Sequence, residues 1–394
     1  MFLPLGDAPN PKGFPLVTYA IIALNVAVFA FVTLPLGAQP ANPSDPAYLE
    51  YLRALANALP PNVSLNDVAR QLSAYDLFVF RHGYRSIAPS PWALVESMFL
   101  HSGFMHLFGN MLFLWIYGDN VEHRLGGVRY ALWYLVTGAI ATLAHGALGG
   151  ATSIPLVGAS GAISGVLGFY FLWFPHNSVR VWLFLFPLVM RVVELPARLV
   201  LGFYLVVDNL LPFLVTPATG GGVAYGAHIG GFLAGLLVAY VMNWRSVVAP
   251  PGDYSATASS ESLPTRDAIV SALRDGRHAD AANAYFALPA DRARRILPPE
   301  DAMALADWLA QGGYAKAALT VYQRQIRDFP ESAATASAHV GAGRLQLTVL
   351  GQPAAAYQHF VEALSLDPDP ATEAAARRAL AEIAGNQKFR VGVR

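Results

Sequence analysis

The chain has 394 residues, of which 55% are hydrophobic and only 13% charged, about half the charged share (~25%) of an ordinary soluble protein, a balance that points to a membrane protein. Its 26 Lys and Arg cancel its 26 Asp and Glu, which leaves no basic field for nucleic acid and no acidic tail. The absence of cysteine excludes disulfides, thiolate zinc sites and cysteine nucleophiles.

The first apolar run, residues 14–36, holds 23 residues without an Asp, Glu, Lys or Arg. It is too long for the core of a signal peptide and lacks a small-x-small cleavage site, so it reads as a retained transmembrane helix. Residues 37–102 form a long loop with proline clusters, Trp92 and a weakly amphipathic stretch near Tyr48 to Leu72, suited to short helices lying in the membrane interface. Five further runs follow at 103–117, 130–148, 158–174, 199–214 and 223–244, the shorter ones needing flanking polar turns to reach the roughly 20 residues of a span. Lys12, Arg124, Arg129, Arg180, Arg191 and Arg245 all fall on one side of this arrangement, whereas the connections 149–157 and 216–222 contain no Lys or Arg. That asymmetry predicts cytoplasmic termini.

Beyond Arg245 the sequence "VVAPPGDYSATASSESLPT" predicts a flexible linker over 246–265, followed by an Ala-rich helical domain over 266–385 and a tail over 386–394. Within the helical domain a Gly is followed five residues on by Ala, and four further by a large apolar residue. The three copies are Gly276, Ala281, Tyr285; Gly312, Ala317, Val321; and Gly351, Ala356, Phe360. They recur at 36 and 39 residues, near the ~34-residue tetratricopeptide period.

The residues with chemistry lie in three of the spans. "PLVGASGAISGVLGF" (155–169) places Ser160 near the start of the fourth span, and "AYGAHIGGFLAGLL" places His228 near the start of the sixth, which enters the bilayer from the same side. An intramembrane histidine is costly unless partnered, and an alcohol needs an adjacent base to act as a nucleophile, so the pair is suited to acyl transfer. In "HSGFMHLFGN", His106 and Asn110 are four residues apart and share one helix face, from which both can serve a developing oxyanion. The N–H of Ser160, at a helix start, is a further donor. Gly161, Gly165 and Gly168 on the fourth span, with Gly226, Gly230, Gly231 and Gly235 on the sixth, permit close helix contact.

Taken together, "GASG" (158–161), "AHIGG" (227–231), "HSGFMHLFGN" (101–110) and "GDNVEHRLG" (118–126) resemble the rhomboid family of intramembrane serine proteases over roughly residues 14–245. The resemblance implies an all-α fold, a six-transmembrane-helix domain over 1–245 followed by the tetratricopeptide-like domain. It implies Ser160 as nucleophile, His228 as general base and His106 and Asn110 on the oxyanion side. Gly158, Gly161, Glu122, Gly231 and Trp92 would be structural motif positions. The expected partners are transmembrane protein substrates, cleaved near the non-cytoplasmic face, the lipid bilayer, and a protein at the tetratricopeptide-like domain. No cofactor, metal or nucleic acid is expected, and the expected location is a bacterial inner membrane. Two positions depart from the family pattern: Ala93 stands where an Arg follows the Trp, and Ser164 stands where many members carry an aromatic against the histidine. The resemblance also implies a dyad with no carboxylate, and Asp208 reads as interfacial. A catalytically inactive rhomboid-like scaffold or chaperone is the alternative, but such chains lose the Ser or the His. The nucleophile elbow of soluble hydrolases is not met, because position 162 is Ala and no strand precedes it.

Overall fold

A computed structural model describes residues 2–11, 13–59, 62–150, 152–185, 189–215, 223–248 and 264–385. The chain divides into two compact units, one comprising Met1–Asp7, Gly13–Pro175 and Val179–Ala239, the other Ala8–Lys12, His176–Ser178 and Tyr240–Arg394.

The elements run β1 (Phe2–Ala8), α1 (Leu16–Gly37), α2 (Pro46–Ala58), α3 (Leu65–Gln71), α4 (Ala74–His82), α5 (Ala93–Glu96), α6 (Phe104–Leu125), α7 (Gly127–Gly149), α8 (Ser160–Trp173), β2 (Ser178–Leu185), β3 (Val189–Pro196), α9 (Ala197–Val215) and α10 (Tyr225–Val248). Helices therefore form at all six apolar runs. Among the described residues α1, α7, α9 and α10 are long and apolar enough to cross a membrane, and α5 with α6, bent by 96° at their junction, make a fifth candidate. The sixth, α8, is an apolar helix of only 14 residues, so length and composition alone do not confirm the expected count of six. Its short length goes with its position: α6, α7, α9 and α10 pack round it, and nearly every residue from Gly161 to Trp173 is buried.

Glycine sets the distance between α8 and α10. A Cβ on Gly231 would lie 2.1 Å from the Gly161 carbonyl oxygen, one on Gly235 would lie 1.9 Å from that of Gly165, and one on Gly168 would lie 2.1 Å from that of Phe232. The two backbones touch at three successive levels, as the small-residue spacing predicts.

Glu122, expected as a motif position, holds the start of α1. That helix begins after Pro15 with no side-chain cap of its own. Glu122 Oε1 accepts from the Val17 N–H at 2.9 Å, and Oε2 accepts from the N–H and hydroxyl of Thr18, both at 2.7 Å. A buried carboxylate thus supplies the acceptors that a helix start lacks, where the helix dipole favours negative charge.

The long first loop is folded, as its amphipathic stretch suggests. Asp45 caps α2, a Ser73–Asp76 capping box opens α4, and Phe80 packs on Ala47 and Ala54. Tyr84 and Leu156 exchange backbone hydrogen bonds at 3.0 and 2.8 Å, which ties this loop to the segment leading into α8.

The chain is mostly helical, as expected, and carries one small sheet besides. Strands β1, β2 and β3 form a sheet in that order, where the sequence reading had only a terminus and a connection. Buried Val179 and Val181 alternate with partly exposed Arg180 and Trp182, a period-2 signal masked by the apolar helices on either side. Asp7 anchors β1 by accepting from Asn120 Nδ2 on α6 at 2.8 Å and from the Tyr170 hydroxyl on α8 at 2.5 Å.

In the second unit, α11 (Arg266–Arg274), α12 (His278–Ala287), α13 (Ala290–Ala293), α14 (Pro299–Gln311), α15 (Ala315–Asp328), α16 (Ala334–Thr348), α17 (Pro353–Ser365) and α18 (Pro370–Gly385) follow one another. The pairs α11–α12, α14–α15 and α16–α17 are helical hairpins, and the repeated glycines lie at their turns. Gly276, Gly313 and Gly351 adopt φ of +75°, +82° and +63°, a region that favours glycine. In the second copy this role falls to Gly313 rather than Gly312. The repeated Ala281, Ala317 and Ala356, with Tyr285, Val321 and Phe360, are all buried. Of the expected linker, residues 249–263 lie outside the described residues, as does the 386–394 tail; α10 continues through Val248.

Gly235→Ala should force α8 and α10 apart, because the Cβ meets a backbone oxygen that cannot move aside. Overpacking of this kind costs about 1–3 kcal/mol. Thermal unfolding of the detergent-purified protein should shift down for Gly235→Ala and stay unchanged for Gly202→Ala, whose Cβ meets nothing within 4 Å.

Candidate active site

Three helix beginnings converge on one cavity. Ser160 is the first residue of α8, closer to the helix start than the span boundary suggests, so its N–H is one of the amides without an intrahelical partner. His228 is in the first turn of α10, and His106 and Asn110 are in the first two turns of α6. The cavity has a volume of about 650 Å³, and Ser160, His228, His106, Asn110, Ser102 and Tyr204 provide its polar groups.

The Ser160 Oγ lies 2.8 Å from His228 Nε2. The other ring nitrogen, Nδ1, is 2.6 Å from Asn209 Oδ1. Asn209 sits in a π-turn, Val206–Leu210, that interrupts α9, and it is buried to 1% exposure while its neighbour Asp208 faces outward. The ring therefore has a neutral partner, Asn209, that the sequence reading missed. Two adjacent polar residues inside an apolar run were the available signal. Asp208 drew attention to itself by its charge, and Asn209 did not.

Ser164, one turn after Ser160, donates to the Ser160 carbonyl at 2.8 Å and lies 2.8 Å from the Tyr204 hydroxyl. The Tyr204 ring in turn lies 6.3 Å from the His228 ring, tilted by 32°. An aromatic from α9 thus borders the histidine where the family pattern puts one at position 164, and the small Ser164 provides the space and the hydrogen bond for it.

On the opposite wall, Ser102 Oγ lies 3.1 Å from His106 Nδ1, and the ring of buried His101 packs edge-on against that of His106 at 5.0 Å. Gly158 makes this arrangement possible. Its φ is +124°, and a Cβ there would sit 2.7 Å from both Cε1 and Nε2 of His106. Asn110 is buried, and its Nδ2 has no hydrogen-bond partner among the described residues. Trp92 lies on the exposed surface, while Glu122 and Gly231 act at a distance through α1 and α10.

These features define a polytopic helical membrane protein with a half-buried, hydrogen-bonded serine and histidine facing a polar-ended cavity. Comparison with known proteins points the same way. Residues 88–245 match the Rhomboid domain family. The chain is 27% identical over 229 residues to RHOMBOID-like protein 5 of Arabidopsis thaliana, covering 57% of this chain and 67% of that protein. It is 30% identical over 160 residues to Rhomboid protein 1, mitochondrial, of Saccharomyces cerevisiae, and 30% identical over 155 residues to Rhomboid-type serine protease 2 of Emericella nidulans. Each of these matches covers 38% of this chain; they span 42% and 26% of the two relatives. The domain match and the rhomboid-named relatives support the rhomboid family, a multi-pass membrane protein, and a protease or rhomboid-like function.

Gly158→Ala combines a φ of +124° that L-residues rarely adopt with a collision against His106, and a sparsely populated backbone conformation alone costs of order 1–3 kcal/mol. It should lower the unfolding temperature in detergent. Gly109→Ala, in the same cavity wall but with nothing within 4 Å of its Cβ, is the control expected to unfold like the parent.

Proposed function

We propose that this protein is an intramembrane serine endopeptidase that cleaves transmembrane helices of substrate proteins, with Ser160 and His228 as its catalytic dyad. The observation that carries this reading is the 2.8 Å hydrogen bond between Ser160 Oγ and His228 Nε2 at the wall of a 650 Å³ cavity. An inactive scaffold would have no need to keep either side chain, and placing a histidine within a membrane domain costs free energy unless it is partnered.

The chemistry follows from the positions. Ser160 Oγ attacks the scissile carbonyl carbon while His228 Nε2 takes the hydroxyl proton. Negative charge moves to the carbonyl oxygen, toward the Ser160 N–H at the start of α8, the unpartnered Nδ2 of Asn110 and the His106 ring. Collapse breaks the C–N bond as the His228 imidazolium returns its proton to the leaving amine. A water deprotonated by the same nitrogen then attacks the acyl-serine ester and regenerates the free hydroxyl.

The cluster of Lys and Arg on one side of the spans supports a topology with both termini in the cytoplasm and the Ser160 end of α8 at the other face, where substrate helices would be cut. We assign the second unit a recruiting role. Its hairpins and repeated Gly–Ala–apolar pattern suit a tetratricopeptide-like stack, a scaffold that binds peptide or protein partners without catalytic groups of its own. Such a tether raises the local concentration of a substrate or adaptor.

Ser160→Ala and His228→Ala should each abolish cleavage of a model transmembrane substrate while leaving the protein folded; near-parental cleavage by either variant would sink the assignment. A fluorophosphonate should label Ser160 and leave Ser164 untouched. Asn110→Ala removes one oxyanion donor and should lower turnover by about 10²–10³-fold with little change in KM. If KM rises and turnover holds, Asn110 recognises substrate instead.

Truncation after Ser255 should preserve cleavage of a generic substrate in detergent but change which proteins are cleaved in cells, as proteomics of the cell membrane can score. A folded, monodisperse truncated protein without detergent activity would show that the second unit supports catalysis directly.

A further inference from the structure

We infer that Asn209 is a positioning residue for His228, so that the proposed dyad works as a Ser160–His228–Asn209 relay with an amide in the third place. This inference rests on the protease reading above. It starts from the donor and acceptor inventory of one side chain. Asn209 Nδ2 lies 2.7 Å from the Tyr204 carbonyl oxygen, an atom that can only accept. The amide nitrogen must therefore face Tyr204, which points Oδ1, an acceptor, at His228 Nδ1 2.6 Å away. The proton between them belongs to His228. In a neutral imidazole a protonated Nδ1 leaves Nε2 as the lone-pair nitrogen, and Nε2 is the atom 2.8 Å from Ser160 Oγ. The orientation of one amide thus selects the tautomer that can accept the serine proton.

The same proton counting extends around the site. The single Ser164 hydroxyl proton goes to the Ser160 carbonyl, so Ser164 Oγ accepts from the Tyr204 hydroxyl. Tyr204 offers its carbonyl to Asn209, Asn209 holds His228, and His228 returns to Ser160. The circuit leaves Ser160 by its backbone oxygen and comes back to its side chain. Every donor in it has one acceptor, which satisfies polar groups that the bilayer interior would otherwise leave unpaired. Tyr204 and Asn209 lie five residues apart across the π-turn of α9, and π-turns of this kind recur at functional sites.

A neutral amide differs from a carboxylate in what it can contribute. It fixes the ring and its tautomer without adding a charge to stabilise the imidazolium. Loss of Asn209 should therefore fall on the chemical step.

The test pairs a variant with a spectroscopic reading of the parent protein. Asn209→Leu has similar volume and no acceptor; its kcat for a model transmembrane substrate should fall about 100-fold, the lower range of general-base contributions, with KM within about threefold. Nitrogen-15 NMR of the histidine-labelled parent in detergent or bilayer should show His228 with Nδ1 protonated and Nε2 bare. Parental kcat in Asn209→Leu would overturn the inference, as would an Nε2-protonated tautomer in the parent, and the second reading holds even if the variant does not fold. Ser160→Ala run in parallel separates the two levels: cleavage by Ser160→Ala removes the protease reading itself, whereas an inactive Ser160→Ala beside a fully active Asn209→Leu removes only the role of Asn209.

Discussion

The backbone contact between α8 and α10 is the constraint on which the rest depends. A serine and a histidine on different helices meet at 2.8 Å only if those helices approach far more closely than side chains ordinarily allow. Packed helices usually keep their axes about 8–10 Å apart because side chains stand between them. Here Gly161, Gly165 and Gly168 face Gly231, Gly235 and the Phe232 carbonyl with no side chain interposed. Lipid tails are as apolar as leucine, so the bilayer offers little hydrophobic reward for bringing two helices together; contact area and packing must do it. The glycines that make the contact close also make it stable, and structure and reactivity share one set of residues.

Given that contact, the direction of the helices does the remaining work. The start of an α-helix exposes unpaired N–H groups and the positive end of its dipole. Three helices, α6, α8 and α10, begin at the same cavity, so in the proposed reaction their first turns surround the carbonyl oxygen as it gains negative charge. A donor array built from helix starts and a buried asparagine is preorganised before substrate arrives and has little to rearrange during reaction. Gly158 shows how tight the array is, since the chain must take φ of +124° to pass beneath the His106 ring. Glu122 serves the same end from outside the cavity by fixing α1 against α6.

Much of this was legible in the sequence, and the exceptions share a cause. Apolar runs with polar breaks placed all six helices, and Ser160, His228, His106 and Asn110 stood out because polar residues in apolar helices are few. Asn209 and Tyr204 passed unnoticed because their roles depend on a π-turn, a local change of helical pitch with no marker in hydropathy. The sheet escaped because β2 and β3 are short apolar segments between apolar helices, where a two-residue period competes poorly with a strong overall signal. Hydropathy reports how apolar a segment is and not how much of it neighbouring helices enclose, and α8 is buried along most of its 14 residues.

The second unit uses the same small residues in a different way. Its interfaces carry bulky groups as well, and small residues serve as sockets for them. A Cβ on Gly341 would lie 2.5 Å from the Tyr322 ring, and one on Gly343 would lie 2.8 Å from the Phe360 ring. Both aromatics come from flanking helices, α15 and α17, and both are buried on α16 through these glycines. The repeated Ala281, Ala317 and Ala356 play the matching part at hairpin interfaces. Where glycine in the first unit brings backbone to backbone so that Ser160 and His228 can touch, in the second it brings a ring to a backbone. Glycine and alanine content therefore does not mark one kind of structure; the neighbour decides whether a small residue closes a gap or makes room.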